Sequence, residues 1–214
     1  MFELVFKVLI AYLAGGVLGS LVLGKMRGVD IRKQGSGNAG ATNALRTQGK
    51  WFALCVLIID IVKGVWAVRY LPALPLPFIA ADPTLAREGL VLACGLAVIV
   101  GHVYPVWFGF RGGKGAATVI GVIAALDPAL LAPVLATWFV VVMLMGYVSL
   151  ATMLAGAALF VAAALLRQSD PALIGFCAVL AAFIVFTHRS NIARLRAGNE
   201  NRVRRLWLLR PRDT

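Results

Sequence analysis

The chain has 214 residues, 61% of them hydrophobic, a mean hydropathy of +0.88 and a net charge of +12. Soluble domains are nearer half apolar, so this composition excludes an ordinary soluble protein and points to a polytopic membrane protein. The positive charge, which would suggest nucleic acid in a soluble chain, is explained here by basic loops on the cytoplasmic side of a membrane, and no nucleic-acid partner is expected.

Apolar runs predict seven membrane-spanning helices, over 3–24, 51–70, 86–104, 115–126, 129–145, 148–166 and 171–187. The expected fold is all-α, a single transmembrane domain over 1–214. The first run carries Glu3 and Lys7 and has no clear cleavage site, so it reads as a retained helix rather than a signal peptide. Asp60 and Lys63 lie inside the second run at i and i+3; charges within a span are candidates for function, but this spacing favours a mutually neutralising pair on one helix face. The fourth run is short and starts at a glycine-rich turn. Asp127-Pro128, Gly146-Tyr147 and Ser169-Asp170-Pro171 mark the turns after it.

Charge sets the expected topology. Sixteen of the 21 basic residues fall in three segments: Lys25–Lys50, the turn with Arg111 and Lys114, and the tail from Arg189 to Arg212. Seven passes place all three on one face, which the positive-inside rule makes cytoplasmic, and put the amino terminus in the periplasm. Six passes would send the tail to the opposite face.

Two glycine-rich segments carry the chemistry. Gly109-Phe110-Arg111-Gly112-Gly113-Lys114-Gly115 can form an anion-binding nest, and a helix starting near Gly115 would add its positive end. It is not a Walker A motif, because Phe108 and Gly115 stand where glycine and a hydroxyl residue are needed. The earlier segment Gly35–Arg46 contains G-x-G-x-x-G but follows a membrane span rather than a strand, which rules out a dinucleotide fingerprint. Its Ser36, Asn38, Thr42, Asn43 and Arg46 make it a polar binding loop. Ser149 and Thr152 lie three apart on one helix face, and His188, Asn191 and Glu200 follow in the tail.

Other chemistries find no support. Nine acidic residues, two histidines and scattered Cys55, Cys94 and Cys177 argue against a metal site, and no cofactor is expected. There is no G-x-S-x-G elbow. The H-x-x-x-x-D motif of thioester-using acyltransferases is also absent, since Trp107 and Ala193 stand five positions after His102 and His188. His102 reads as a structural residue at a span's end.

The segments GSGNAGATNALR (35–46), GHVYPVWFGFRGGKGAAT (101–118) and HRSNIARLRAGNE (188–200), with DIVKG (60–64) and YVSLATM (147–153), resemble the bacterial acyl-phosphate-dependent glycerol-3-phosphate acyltransferases, the PlsY family. The resemblance runs in order along nearly the whole chain. It implies a seven-span enzyme of the bacterial inner membrane with a cytoplasmic active site. The implied reaction moves an acyl group from acyl phosphate to the 1-hydroxyl of glycerol 3-phosphate, giving lysophosphatidate and phosphate, the first step of phospholipid synthesis. The implied partners are acyl phosphate, glycerol 3-phosphate, membrane lipid and the peripheral phosphate acyltransferase that makes the donor. In this reading Gly112, Gly113 and Gly115 cradle the acyl-phosphate group. Ser36 and Asn38 orient substrates, and Arg46 and Lys114 hold phosphates. Ser149, Thr152, His188 and Asn191 complete the polar pocket, and Glu200 braces the basic tail. Thr152 stands where the family often has serine. The competing expectation is a transporter or channel for an anionic phosphate-containing solute, which would use the same cations and short helix.

Overall fold

A computed structural model describes residues 1–77, 79–203 and 208. Arg204, Arg205, Arg210 and Arg212 of the basic tail lie outside the described residues. The described residues are helical, with short 3-10 turns and no strand beyond an isolated Leu76–Ile79 bridge. They divide into two units, 1–126 and 127–214.

The first unit contains α1 (Phe2–Gly15), α2 (Gly19–Met26), α3 (Ala41–Gln48), α4 (Lys50–Arg69), α5 (Arg87–Val103) and α6 (Ala116–Leu126). The expected single helix over 3–24 is two helices, bent by 48° at Gly16–Leu18. Close packing and a buried cation explain the break. A Cβ on Gly15 would lie 2.1 Å from the Val98 carbonyl, and one on Gly101 would lie 2.0 Å from the Tyr12 carbonyl. Glycine at both positions therefore lets α1 and α5 meet backbone to backbone. At the break, Lys63 Nζ donates to the carbonyls of Gly15 (2.9 Å) and Val17 (3.0 Å). These bonds satisfy carbonyls that the interrupted helix leaves open. At the other end of α1, buried Glu3 accepts from Lys7 and Arg87, and Lys7 also donates to the Pro72 carbonyl.

Helices α4 and α6 use glycine in the same way. A Cβ on Gly64 would meet the Thr118 carbonyl at 2.5 Å, and one on Gly121 the Ile61 carbonyl at 2.1 Å. The loop between α2 and α3 is pinned by its apolar members. Ile31 and Ala39 are buried with Leu18, Ala44 of α3, Phe52 and Val56 in one cluster.

The second unit contains α7 (Leu131–Met145), α8 (Val148–Leu166), α9 (Pro171–Thr187) and α10 (Arg189–Arg196). Asp170 caps α9 by accepting from Leu173 N (2.8 Å), with Pro171 in the first turn. Only Val142 of α7 is buried, so most of this apolar helix is left to face lipid. α9 and α10 form a second bent pair, at 55°.

Among the described residues, four helices are long and apolar enough to cross a membrane, or up to six if each bent pair is one span. The shorter apolar α6 is the remaining candidate. This is a multi-pass membrane architecture.

Candidate active site

Asn43 organises the first polar loop. Its buried carboxamide donates from Nδ2 to the carbonyls of Ile31, Gln34 and Asn38, each at 3.0 Å, while Oδ1 accepts from Ser36 N at 2.9 Å. One side chain thus gathers the 31–38 backbone around itself. Gly35, at φ +57°, fits because a Cβ there would lie 2.3 Å from Asn43 Oδ1. The Ser36 hydroxyl and the Asn38 carboxamide bond to no other described side chain or backbone group. Arg46 projects from the last turn of α3 and is exposed.

Arg32 ties this loop to the glycine-rich turn. It forks onto Asp30, with Nε to Oδ1 at 3.0 Å and NH2 to Oδ2 at 2.8 Å. Its NH1 donates to the carbonyls of Phe108 (2.9 Å) and Arg111 (3.1 Å). The guanidinium hydrogen bonds hold the Asp30 carboxyl below its ordinary pKa. Arg32 is therefore a strut between two loops.

The glycine-rich turn folds back onto the end of α5. Gly112 N donates to the Val103 carbonyl and Gly113 N to the His102 carbonyl, each at 3.1 Å. Those two amides are thus engaged within the protein, so the donors for an anion shift along the chain. Val119 N bonds Gly115 O at 2.8 Å, which makes Gly115 (φ +89°) the residue before α6. The amides of Ala116, Ala117 and Thr118 then have no partner inside their own helix. This is the helix start that favours a phosphate. Gly112 and Gly113 are required by space rather than by φ. A Cβ would lie 2.0 Å from the His102 carbonyl at Gly112 and 2.2 Å from His102 Nε2 at Gly113. Lys114 is half-buried and Arg111 exposed.

In the second unit, polar groups converge on Glu200. Its Oε1 accepts from Ser149 Oγ (2.9 Å) and Asn191 Nδ2 (2.7 Å), and its Oε2 from Arg194 Nε (2.7 Å). Burial raises the Glu200 pKa, but the bonds from Asn191, Arg194 and Ser149 outweigh it and the net shift is downward. His188 sits at the α9–α10 bend. Its Nδ1 donates to the Ile184 carbonyl at 2.7 Å, which makes Nε2 the acceptor of the neutral ring. Thr152, on the same helix as Ser149, makes different bonds. Its hydroxyl donates to the Val148 carbonyl (2.8 Å) and accepts from Trp138 Nε1 (3.2 Å). Back-bonding one turn down its own helix, a common choice for helical Thr, turns it toward α7 instead of Glu200.

The profile of the family described as Glycerol-3-phosphate acyltransferase matches residues 5–198. This chain belongs to the glycerol-3-phosphate acyltransferase family. A family member from Geobacter sulfurreducens is 43% identical over 195 residues, covering 90% of this chain and 94% of the relative. The one from Aquifex aeolicus is 39% identical over 198 residues, covering 92% and 97%. The crystal structure of PlsY (YgiH), an integral membrane glycerol 3-phosphate acyltransferase in its glycerol 3-phosphate form, has a TM-score of 0.79 to this chain. It is 34% identical, with 93% of this chain and 94% of that one covered. The lysophosphatidic acid form gives a TM-score of 0.77.

In this member of the acyltransferase family, Ser36, Asn38, Arg46, Gly112, Gly113, Lys114 and Gly115 belong to the first unit. Ser149, Thr152, His188, Asn191 and Glu200 belong to the second. Arg32 and Arg194 bond into these loops although sequence reasoning did not single them out, and Asn43, read there as one member of a polar loop, is its hub. Each stands in or beside one of the polar loops, but only the fold shows what it bonds. Among the described residues, no three His, Cys, Asp or Glu side chains converge as a metal site would require.

Proposed function

We propose that this protein transfers an acyl group from acyl phosphate to the 1-hydroxyl of glycerol 3-phosphate. The products are 1-acylglycerol 3-phosphate and inorganic phosphate. The observation that carries this is the delivery of the α6 start, with Lys114 beside it, to the Gly109–Gly115 turn, in a chain related to a structure solved with glycerol 3-phosphate. Both substrates are phosphate anions and the donor is already activated. Amides, cations and positioning can therefore supply most of the rate.

The hydroxyl oxygen attacks the acyl carbon, the bond from that carbon to the phosphate oxygen breaks, and phosphate leaves. The α6 amides, the glycine turn and Lys114 hold the acyl-phosphate group, and Arg46 holds a phosphate. Ser36 and Asn38 orient the substrates. Ser149 and Asn191, fixed by Glu200, and His188 orient glycerol 3-phosphate. The hydroxyl proton passes to a phosphate oxygen of bound substrate, while His188 Nε2 accepts a hydrogen bond from the glycerol. In that role His188→Gln retains measurable turnover and His188→Ala loses more. Equal loss in both folded variants, with a wild-type kcat that follows one ionisation of His188, would instead make histidine the base.

The protein sits in the bacterial inner membrane with seven passes, α6 being the short one. The amino terminus is periplasmic and the basic loops are cytoplasmic. Cysteine labelling that placed Lys33 and Arg204 on opposite faces would overturn this topology. The reaction is tested by incubating pure protein in detergent with palmitoyl phosphate and glycerol 3-phosphate and no other protein. Lysophosphatidate is the expected product. Its absence, with transport of either substrate into vesicles, would favour the transporter.

A further inference from the structure

Behind the glycine-rich turn lies a polar group that the reaction above leaves unused. Asp60, Lys63 and His102 are at most 8% exposed, on α4 and α5. Lys63 has three hydrogens, and three acceptors receive them: the carbonyls of Gly15 and Val17, and His102 Nδ1 at 2.9 Å. An ammonium has no lone pair, so Nδ1 must be the acceptor and the imidazole hydrogen must be on Nε2. Asp60 Oδ1 lies 2.9 Å from Lys63 Nζ and 3.5 Å from His102 Nδ1, yet neither carboxylate oxygen receives an aligned hydrogen bond. The carboxylate thus balances the ammonium's charge, while the ammonium's hydrogens orient the ring and cap the broken helix.

The ring's other side meets the turn. His102 Nε2 occupies the place a Gly113 Cβ would take, 2.2 Å from it, and Gly113 N donates to the His102 carbonyl. Backbone and side chain of one residue therefore grip Gly113 from two sides. Three residues later the chain enters α6. Keeping three ionisable groups at this depth is costly, and apolar residues of similar size would fill the space as well. What apolar residues could not supply is a fixed ring orientation.

We propose that His102 is a positioning residue for the phosphoryl-binding turn, acting through Gly113, and that Lys63, balanced by Asp60, acts through His102. The proposal rests on the reading that this turn and the start of α6 hold the acyl-phosphate group. His102 touches no substrate in it. Misplacing Gly113 moves the amides that follow, which weakens phosphoryl binding more than it changes the chemical step.

The test is steady-state kinetics on purified wild type, His102→Ala, Gly113→Ala, the double variant and Lys63→Met, with palmitoyl phosphate and glycerol 3-phosphate. Each single change is expected to raise KM for palmitoyl phosphate by about tenfold or more, since errors near 1 Å can cost far more than that. The expected change in kcat is within about threefold. In the double variant the added methyl takes the space the ring has left, so its KM should be no higher than that of the worse single variant. His102→Gln keeps a side-chain N–H and should lie between wild type and His102→Ala. If His102→Ala does not fold, the double variant is made with His102→Gln, whose unbranched chain can swing off the methyl. Multiplying effects in the double variant, or loss of kcat without a rise in KM, would overturn the positioning role and leave the turn as the phosphoryl site. An unchanged KM in Gly113→Ala would overturn the turn itself, and this proposal with it.

Discussion

Residues 1–126 and 127–203 reach close packing by different means. In the first, helices touch backbone to backbone through glycine: Gly15 against Val98, Gly101 against Tyr12, Gly64 against Thr118 and Gly121 against Ile61, each with a carbonyl where a Cβ would stand. In the second, the one helical glycine with near neighbours, Gly156, has ordinary contact distances of 3.5 Å or more to Ile184 and Ala181. Its order comes instead from side chains gathered by the Glu200 carboxylate. The first unit should therefore be sensitive to volume and the second to charge.

The largest effect is expected from Gly101→Ala. Its methyl has no room against the Tyr12 carbonyl, and overpacking of this kind costs about 1–3 kcal/mol or more. Gly156→Ala should change stability by no more than about 1 kcal/mol, in the stabilising direction, because Ala is the better helix former. Thermal unfolding of both in one detergent checks the contrast, and equal loss in both would break it.

Glu200→Gln should rank next. It leaves Arg194 without a charged partner and costs about 1–3 kcal/mol, the range for removing one partner of a buried hydrogen-bonded group. The pH dependence has a definite sign. Because folding lowers the Glu200 pKa from 4.5, its contribution is complete above that value and is lost as pH falls through the lower folded value. Thermal unfolding followed from about pH 7 down to about pH 2 should show, below pH 4.5, an acid-side loss that Glu200→Gln does not. A variant that tracks wild type over that range would remove Glu200 from its bracing role.

The smallest effect separates two hydroxyls on α8. Ser149→Ala breaks a bond to Glu200 and should lower activity, whereas Thr152→Val removes a hydroxyl that bonds only its own helix and Trp138. Thr152→Val should leave kcat/KM within about twofold. A larger loss would return Thr152 to the site.

These contrasts also show what a single sequence conveys. Six of the seven predicted runs match helices of the fold to within about two residues, because hydropathy depends on local composition. The first run misled because the bend at Gly16–Leu18 is made by Lys63, which is 48 residues away from Gly15 in the chain. A separation of 39 residues likewise hid Lys63 from His102, whereas the local Asp60–Lys63 pair expected from the i, i+3 spacing is present at 2.9 Å. Glycine-rich turns are conspicuous in composition. The use of the Gly112 and Gly113 amides by α5, the Asn43 hub and the Arg32 strut depend on which carbonyls the fold brings near.

The account holds that phosphoryl groups are bound by amides and cations, with catalysis by positioning. The most direct test is the initial rate of lysophosphatidate formation by pure protein from palmitoyl phosphate and glycerol 3-phosphate in excess EDTA, with phosphate release followed in parallel. The account predicts a rate equal to that without EDTA and one phosphate released per ester formed. A rate abolished by EDTA and restored by magnesium would contradict it.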